Sequence, residues 1–237
     1  MGDDRNKAPA PRPAGKDSAI DAFLEKARGV AEAGGRGRLI FALDATMSRQ
    51  PTWDVAQSIQ GEMFRATARQ GGLDVQLVYF RGFGECRASR FVSQGEGLGA
   101  LMGRISCQGG KTQIGRVLGH ALDEARARRV GALVYIGDAM EEKADHLASL
   151  AGELGLLGLK AFMFQEGDDP AARAAFREIA RLTGGAYAAF DLSAPRRLAE
   201  LLGAAAAYAA GGLPELERRA EQGEGAARLL LSQMGSR

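Results

Sequence analysis

Residues 39–48 read LIFALDATMS, a short apolar run that leads directly into three oxygen-bearing side chains. A continuous apolar run of this length is typical of a parallel β-strand that is covered on both faces. Asp44, Thr46 and Ser48 then follow at alternate positions. Ligands of an open parallel sheet bind beyond the carboxyl ends of its strands. The stretch therefore predicts a buried strand with candidate ligand atoms at its tip.

Apolar runs and helical patterns alternate along the rest of the chain. Further strand-like runs occupy residues 75–80, 87–92, 132–136, 159–164 and 186–190. Apolar residues recur with helical spacing over residues 55–68, 98–105, 114–125, 147–154, 170–182 and 195–210. Alternating strands and helices indicate the α/β class. We therefore expect a Rossmann-like, doubly wound, mostly parallel sheet with one antiparallel edge strand, residues 87–92, and helices on both faces.

The two ends of the chain differ from this alternating part. Residues 1–17 are rich in Pro, Ala, Gly and charge. They bury too little apolar surface to offset their ordering entropy, so we expect a disordered tail. Helical spacing of apolar residues predicts an N-terminal helix over residues 18–34. One folded domain is expected at residues 35–212, and residues 213–237 are expected to form a helical tail that docks on this chain or on a partner.

Composition and charge exclude several classes of protein. The 237 residues are 46% hydrophobic and 25% charged, which is ordinary for a globular protein and excludes disorder of the whole chain. The net charge of +2 gives no electrostatic case for nucleic acid. The uncharged stretch 201–214 is too short to span a bilayer, and the start lacks the apolar stretch of a signal peptide. We therefore expect a cytoplasmic protein with no membrane partner.

The cysteines and histidines carry little functional signal. Cys86, Cys107, His120 and His146 lack the paired spacing of a zinc site, and two cysteines do not make a disulfide framework. We expect two reduced thiols, with a redox-sensitive pair as the alternative. Both histidines lie in helical segments and are expected to be surface groups or satisfied by hydrogen bonds.

Two further loops carry oxygen atoms towards the same edge of the sheet. The segment 109–112, Gly-Gly-Lys-Thr, precedes the most regular helix, and Asp138 follows the apolar run 132–136. We expect convergence of five side chains: Asp44, Thr46, Ser48, Thr112 and Asp138. Carboxylates and hydroxyls without His or Cys suit Mg²⁺, Mn²⁺ or Ca²⁺. Each residue taken singly also has a structural alternative, since Asp, Ser and Thr after a strand often cap a helix or close a turn.

This pattern resembles the von Willebrand factor A (VWA) domain family. The resemblance covers about residues 37–211, so the domain at 35–212 is expected to be VWA-like. In that family the corresponding positions form the metal-ion-dependent adhesion site (MIDAS). The resemblance implies that the hydroxyls of Thr46, Ser48 and Thr112 bind a divalent metal, with Asp44 and Asp138 acting directly or through water. A carboxylate of a partner protein would complete the coordination.

The function implied by the resemblance is a non-catalytic protein-interaction module of a bacterial cytoplasm. Its partner would offer an acidic residue, and intracellular family members often work beside ATPases or other machine components. Two positions depart from the family pattern. Thr46 stands where Ser is commoner, and Ala139 follows Asp138 where Gly is frequent. Both departures keep every expected ligand atom, and we expect them to affect the affinity for the metal more than the geometry of the site.

Alternative functions lack part of their motif. The segment 110–112 resembles the end of a phosphate-binding P-loop, but Ile105 stands where that motif needs Gly. A metal-dependent phosphohydrolase would need a second acid/base group, and position 46 is Thr. A VWA scaffold that binds no metal stays open as an alternative, and it is favoured over the phosphohydrolase. The acidic pair Glu141 and Glu142 is expected to be a solvated first helical turn.

Overall fold

Strand β1 (Gly37–Asp44) is a fully covered central strand, as its apolar sequence predicts. From Leu39 to Asp44 every residue is buried. The computed structural model describes residues 36–67, 72–191 and 193–234, apart from the side chain of Ser48. The tail predicted at 1–17 and the helix predicted at 18–34 lie outside the described residues.

Five more strands complete the sheet in this part of the chain: β2 (Leu73–Arg81), β3 (Glu85–Val92), β4 (Ala132–Gly137), β5 (Lys160–Glu166) and β6 (Ala186–Phe190). Their order is β3-β2-β1-β4-β5-β6. Every neighbouring pair is parallel except β2 and β3, which are antiparallel at the edge. The predicted α/β class and the antiparallel edge strand are confirmed.

Eight α-helices connect or flank the strands within the described ranges: α1 (Gln50–Ile59), α2 (Gly61–Thr67), α3 (Gly95–Met102), α4 (Ile114–Ala127), α5 (Ala144–Leu156), α6 (Pro170–Thr183), α7 (Pro195–Glu221) and α8 (Gly225–Met234). The helix expected over residues 55–68 is in fact two helices, α1 and α2, and it begins earlier. Pro51 lies in the first turn of α1, where its missing N–H has no helical partner to lose.

Helix α7 runs beyond its expected end at residue 210. It bends at Gly212, whose φ of 67° is a left-handed conformation that glycine adopts without a Cβ penalty. Pro214 follows in the second half of the helix. Gln233 of α8 hydrogen-bonds the backbone of Tyr187 in β6, which attaches the last described helix to the sheet. No helix among the described residues is long and apolar enough to cross a membrane.

The sheet has a separate hydrophobic core on each face. Successive residues of β1 alternate between them, with Leu39, Phe41 and Leu43 in one core and Ile40 and Ala42 in the other. The first core contains side chains of α1, α2, α3, α7 and α8. The second contains side chains of α4, α5 and α6. The helices therefore cover both faces, as expected for a doubly wound sheet.

The winding direction changes between β1 and β4. The chain passes from β1 outward to β2 and β3, and then returns to β4 on the other side of β1. Leu43 pairs with Ile136, so Asp44 and Asp138 lie just beyond neighbouring residues of adjacent parallel strands. Such a switch point forms a crevice at the carboxyl ends of the strands and is the usual place for a ligand.

Candidate metal site at the switch point

Asp44 is a buried carboxyl group at the tip of β1, only 4% exposed. Its Oδ1 accepts a hydrogen bond of 2.7 Å from the backbone N–H of Thr46. Burial is the main cause that raises the pKa of Asp44 to about 6, and nearby Asp138 raises it further. Hydrogen bonds from Thr46 and the charge of Arg49 act in the opposite direction. The hydrogen bonds and the charge of Arg49 therefore do not fully compensate for the burial of the ionised carboxylate.

Asp138 follows β4 and is paired with a buried arginine. Its Oδ2 lies 3.1 Å from Nη2 of Arg49. Arg49 also contacts the carboxylate of Glu166 at the end of β5, and that carboxylate accepts a hydrogen bond from the Thr52 hydroxyl. Since Gly137 pairs with Gln165, Asp138 and Glu166 follow adjacent positions of neighbouring strands. The guanidinium group thus bridges the tips of β4 and β5.

Thr112 is held by the loop that follows Asp138. Its backbone N–H donates to Oε2 of Glu141 over 3.1 Å, and its hydroxyl accepts a hydrogen bond of 3.0 Å from the backbone N–H of Glu141. The carboxylate of Glu142 accepts hydrogen bonds from the backbone N–H groups of Ile114 and Gly115. These donors belong to the first turn of α4, which has no helical acceptors for them.

The expectation that Glu141 and Glu142 form a solvated first helical turn is therefore wrong. Helix α5 begins only at Ala144, and both residues lie in the preceding loop. Their carboxylates satisfy backbone donors at and before the start of α4 instead. The dipole argument applies to a different helix from the one expected, since the acidic groups stabilise the N-terminus of α4 across the loop.

The Thr112 loop is also bonded to its other two neighbours. The backbone N–H of Gln108 donates to the carbonyl of Ala45 over 3.0 Å, and that of Lys111 donates to the carbonyl of Gly82 over 3.1 Å. A Cβ on Gly110 would lie only 2.1 Å from the Gly82 oxygen. Glycine is therefore required where this loop meets the β2–β3 turn. The three loops that carry the predicted ligands are joined to one another by hydrogen bonds.

Thr46 and Ser48 complete the predicted ligand set. Thr46 is buried and immediately precedes a short 3-10 helix, Met47–Arg49, that contains Ser48. The side chain of Ser48 lies outside the part of the chain that the structure describes. Asp44 and Thr46 are in contact, and Asp138 is close enough to affect the ionisation of Asp44. The assignment of these side chains as metal ligands stays a prediction.

The donor atoms fit a hard divalent cation. Two neighbouring carboxyl groups, one of them buried with a raised pKa, gain from a positive charge placed between them. The Thr112 hydroxyl accepts a single described hydrogen bond, which leaves a lone pair for an ion. Among the described residues no three His, Cys, Asp or Glu side chains are grouped to hold a metal. A metal here would thus depend on hydroxyl oxygens as well.

Sequence reasoning missed Arg49, Thr52 and Glu166. Glu166 ends a buried strand in the same way as Asp44 and precedes no obvious motif. The rule that ligand groups lie at strand tips would have selected it. Arg49 follows Ser48 directly, and its role depends on partners that are distant in sequence.

The remaining candidates have ordinary structural roles. Cys86 and Cys107 are both free thiols, and burial raises the pKa of Cys107 to about 11. Nε2 of His120 lies 2.9 Å from Oε1 of Gln76, which satisfies that ring nitrogen as expected. His146 is exposed.

Comparisons with known proteins give structural similarity only. No protein-family model and no curated protein sequence matches this chain. The VWA domain of SpRpn10 superimposes with a TM-score of 0.53 at 12% identity, covering 69% of this chain and 95% of that one. Proximal thread matrix protein 1 from the mussel byssus, in a structure with a zinc-occupied MIDAS motif, gives a TM-score of 0.55 at 13% identity. That match covers 78% of this chain and 51% of the byssus protein, so this chain spans about half its length.

A bacterial structure is similar to a comparable degree. An aerotolerance-related membrane protein from Bacteroides fragilis gives a TM-score of 0.50 at 21% identity, covering 68% of this chain and 96% of that one. Identities this low establish the fold and leave the function open. Together with the strand order and the switch point described above, these matches show that the chain has a VWA-like fold.

Proposed function

We propose that this chain is a non-catalytic protein-interaction module that binds an acidic residue of a partner through a divalent metal. The proposed ligands are Asp44, Thr46, Ser48, Thr112 and Asp138. The observation that carries the proposal is the placement of Asp44 and Asp138 at adjacent strand tips of the switch point, with the Thr112 loop bonded to both neighbouring loops. A VWA-like neighbour described with zinc in its MIDAS supports a divalent cation in general.

The chemistry of the site favours capture of a carboxylate. Hydroxyl and carboxylate oxygens suit Mg²⁺, Mn²⁺ or Ca²⁺, and an ion held by them keeps positions for outside ligands. The residues of this chain supply two negative charges at most, so a bound divalent ion stays attractive to an anionic side chain. Thr112, oriented by Glu141, and Asp44, oriented by Thr46, are preorganised for this task.

We propose no hydrolytic activity for the site. Asp138 is paired with Arg49, and position 46, where a second acid/base group would be needed, is Thr. Lys111, within the Thr112 loop, is exposed. A metal-dependent phosphohydrolase remains the less favoured alternative.

The partner is proposed to be a protein, with an ATPase or another machine component as the expected kind. The solved neighbours include a pilus adhesin, SpaC from Lactobacillus rhamnosus GG, as well as the SpRpn10 domain. They support protein interaction as a general role and do not distinguish between cellular locations. A cytoplasmic location is proposed from the sequence.

A metal-free scaffold is the second candidate, and one observation favours it. Arg49 already gives Asp138 a positive partner at 3.1 Å. A domain that never binds metal would use this arginine to neutralise the strand-tip carboxylate. The two candidates differ in whether the site takes up a metal ion.

Manganese titration of the purified chain tests the proposal. The electron paramagnetic resonance signal of free Mn²⁺ is followed for the wild type, for Asp44→Asn and for Asp74→Asn, a control on a carboxylate paired with Arg36 at the opposite end of the sheet. We expect saturable uptake of one ion by the wild type and the control, and none by Asp44→Asn. Free Mn²⁺ that rises in proportion to the added ion in the wild type, up to millimolar concentration, would favour the metal-free scaffold.

A further inference from the structure

Arg49 is a buried cation placed between two strand tips. It is 8% exposed, and its guanidinium contacts Asp138 on one side and Glu166 on the other. Nη1 also lies 3.3 Å from the Thr52 hydroxyl. The buried Nε has no hydrogen-bond partner among the described residues. Its charge also acts on Asp44, whose pKa it lowers.

The placement has a clear electrostatic consequence. Arginine does not lose its proton in proteins, so Arg49 is a permanent positive charge in a buried position. It offsets the repulsion between Asp44 and Asp138 in the metal-free protein. A divalent ion bound by the same two carboxylates would do the same. If a metal ion binds the Asp138 carboxylate oxygen that Arg49 contacts, the two cations compete for that oxygen. They also repel each other.

We propose that Arg49 and the divalent metal are alternative counter-cations of Asp138, so that Arg49 sets the metal affinity of the site. The inference rests on the metal site proposed above. Uptake of an ion exchanges the contact of Asp138 with the guanidinium for a contact with the metal. Glu166 and Thr52 hold Arg49 on its other side, so the arginine stays in the fold during this exchange. Arg49 is thus a positioning residue and not a ligand.

The inference predicts opposite effects on stability and on metal affinity. Without Arg49, Asp44 and Asp138 lack a counter-charge in the metal-free state, whereas the metal-bound state loses a repulsion. Replacement by a neutral side chain should therefore lower the melting temperature in EDTA and tighten metal binding. An arginine that merely supports the strand tips would lower stability too, but its loss would leave metal binding unchanged or weaker.

Arg49→Met tests this inference, with Arg38→Met as the matched control. Arg38 is likewise a poorly exposed arginine in an ion pair, in its case with Glu124 alone, and it lies at the amino end of β1. Manganese affinity is measured by electron paramagnetic resonance, and melting in EDTA by circular dichroism. We expect Arg49→Met to bind Mn²⁺ about tenfold more tightly or better, as one close charge repulsion implies. We expect Arg38→Met to bind as the wild type does.

The outcomes distinguish failure of the inference from failure of the proposed function. Saturable binding by the wild type with equal or weaker binding by Arg49→Met overturns the inference and leaves the proposed metal site intact. Binding by Arg49→Met alone supports the inference and shows that the native arginine keeps the site metal-free. Lack of binding by both overturns the metal site and the inference with it. If Arg49→Met does not fold, Arg49→Gln, which keeps an amide donor without the charge, replaces it in the same comparison.

Discussion

Thr112 and Glu141 hold each other by two reciprocal hydrogen bonds. The backbone N–H of Thr112 donates to the Glu141 carboxylate over 3.1 Å, and the backbone N–H of Glu141 donates to the Thr112 hydroxyl over 3.0 Å. One residue precedes α4 and the other follows β4, so the bonds join two loops that are 29 positions apart in sequence. A side chain predicted to bind metal is thereby oriented by the backbone of the loop that carries Asp138.

Removal of the Glu142 carboxylate should destabilise the fold. In Glu142→Ala the backbone donors of Ile114 and Gly115 lose their acceptor, and loss of a helix cap typically costs about 1–2 kcal/mol. Urea denaturation measures the change. Glu217→Ala is the control, because Glu217 is exposed on α7 and no hydrogen bond or ion pair of its side chain occurs among the described residues. Equal stability of Glu142→Ala and the control would contradict the capping role.

Glycine at position 110 should be required, while glycine at position 109 should not. A Cβ on Gly110 would lie 2.1 Å from the Gly82 oxygen, whereas nothing lies within 4 Å of a Cβ on Gly109. Forced displacement of packed groups typically costs about 1–3 kcal/mol, so Gly110→Ala should lower the free energy of unfolding by that amount. Gly109→Ala, in the same loop, should change it by less than about 0.5 kcal/mol. Similar urea midpoints for the two variants would rule out the close approach.

Asp44 should make the metal-free protein less stable as the pH rises. Its folded pKa of about 6 lies above the ordinary aspartate value of 3.8, so the folded state holds the proton more tightly than the unfolded state. The stabilisation is complete below pH 3.8 and is lost as the pH rises through 6. Asp44→Asn keeps an acceptor for the Thr46 N–H and removes this dependence. At pH 7 in EDTA it should be more stable than the wild type by at most about 3 kcal/mol.

Denaturation at several pH values between 4 and 7 checks the sign of this effect. The difference between Asp44→Asn and the wild type should grow with pH in EDTA and shrink or reverse in excess Mn²⁺, since a metal favours the ionised carboxylate. Asp145→Asn, at an exposed position of α5, serves as the control. A wild type that becomes more stable between pH 4 and 6 relative to Asp44→Asn would show that burial does not dominate at this site.

The sheet could be predicted from sequence because its signals are local. The run 39–43 is apolar at every position, and burial on both faces of β1 follows from that pattern alone. The start of α1 was missed because residues 50–54 are mostly polar. Pro51 marks the first turn, but its meaning becomes clear only once the helix is known.

The supporting contacts of the candidate site could not be predicted in the same way. Arg49 and Glu166 are 117 positions apart, and they meet only because β4 and β5 are neighbours in a particular register. Glu142 likewise finds its partners 27 and 28 positions back along the chain. Strand order and register decide such contacts, and a charged side chain next to a motif gives no indication of its partner. The positions of the candidate ligands could be predicted, because that requires only the order of the strands along the chain and the rule that ligands bind at their tips.

Partner binding by variants of Thr112 should distinguish the metal-dependent module from the metal-free scaffold. Thr112→Val removes the hydroxyl proposed as a metal ligand, and Thr112→Ser keeps it together with the acceptor for the Glu141 N–H. If a partner carboxylate binds through the ion, Thr112→Val should weaken partner binding by about 2–5 kcal/mol, as for loss of a desolvated charge contact. Thr112→Ser should bind nearly as well as the wild type. Co-purification of tagged chains from the native cell measures the difference.

Chelation distinguishes loss of the ion from loss of loop structure, because Thr112→Val also removes a loop hydrogen bond. Under the metal mechanism EDTA releases partners from the wild type and from Thr112→Ser, but has little further effect on Thr112→Val, which has already lost the contact. If the valine acted only through the loop, EDTA would weaken all three chains by the same factor or none of them. Recovery of the same partners at the same yield by the wild type and Thr112→Val, with and without EDTA, would exclude the ion from the interface. The ion pair of Arg49 with Asp138 would then be the permanent state of the switch point.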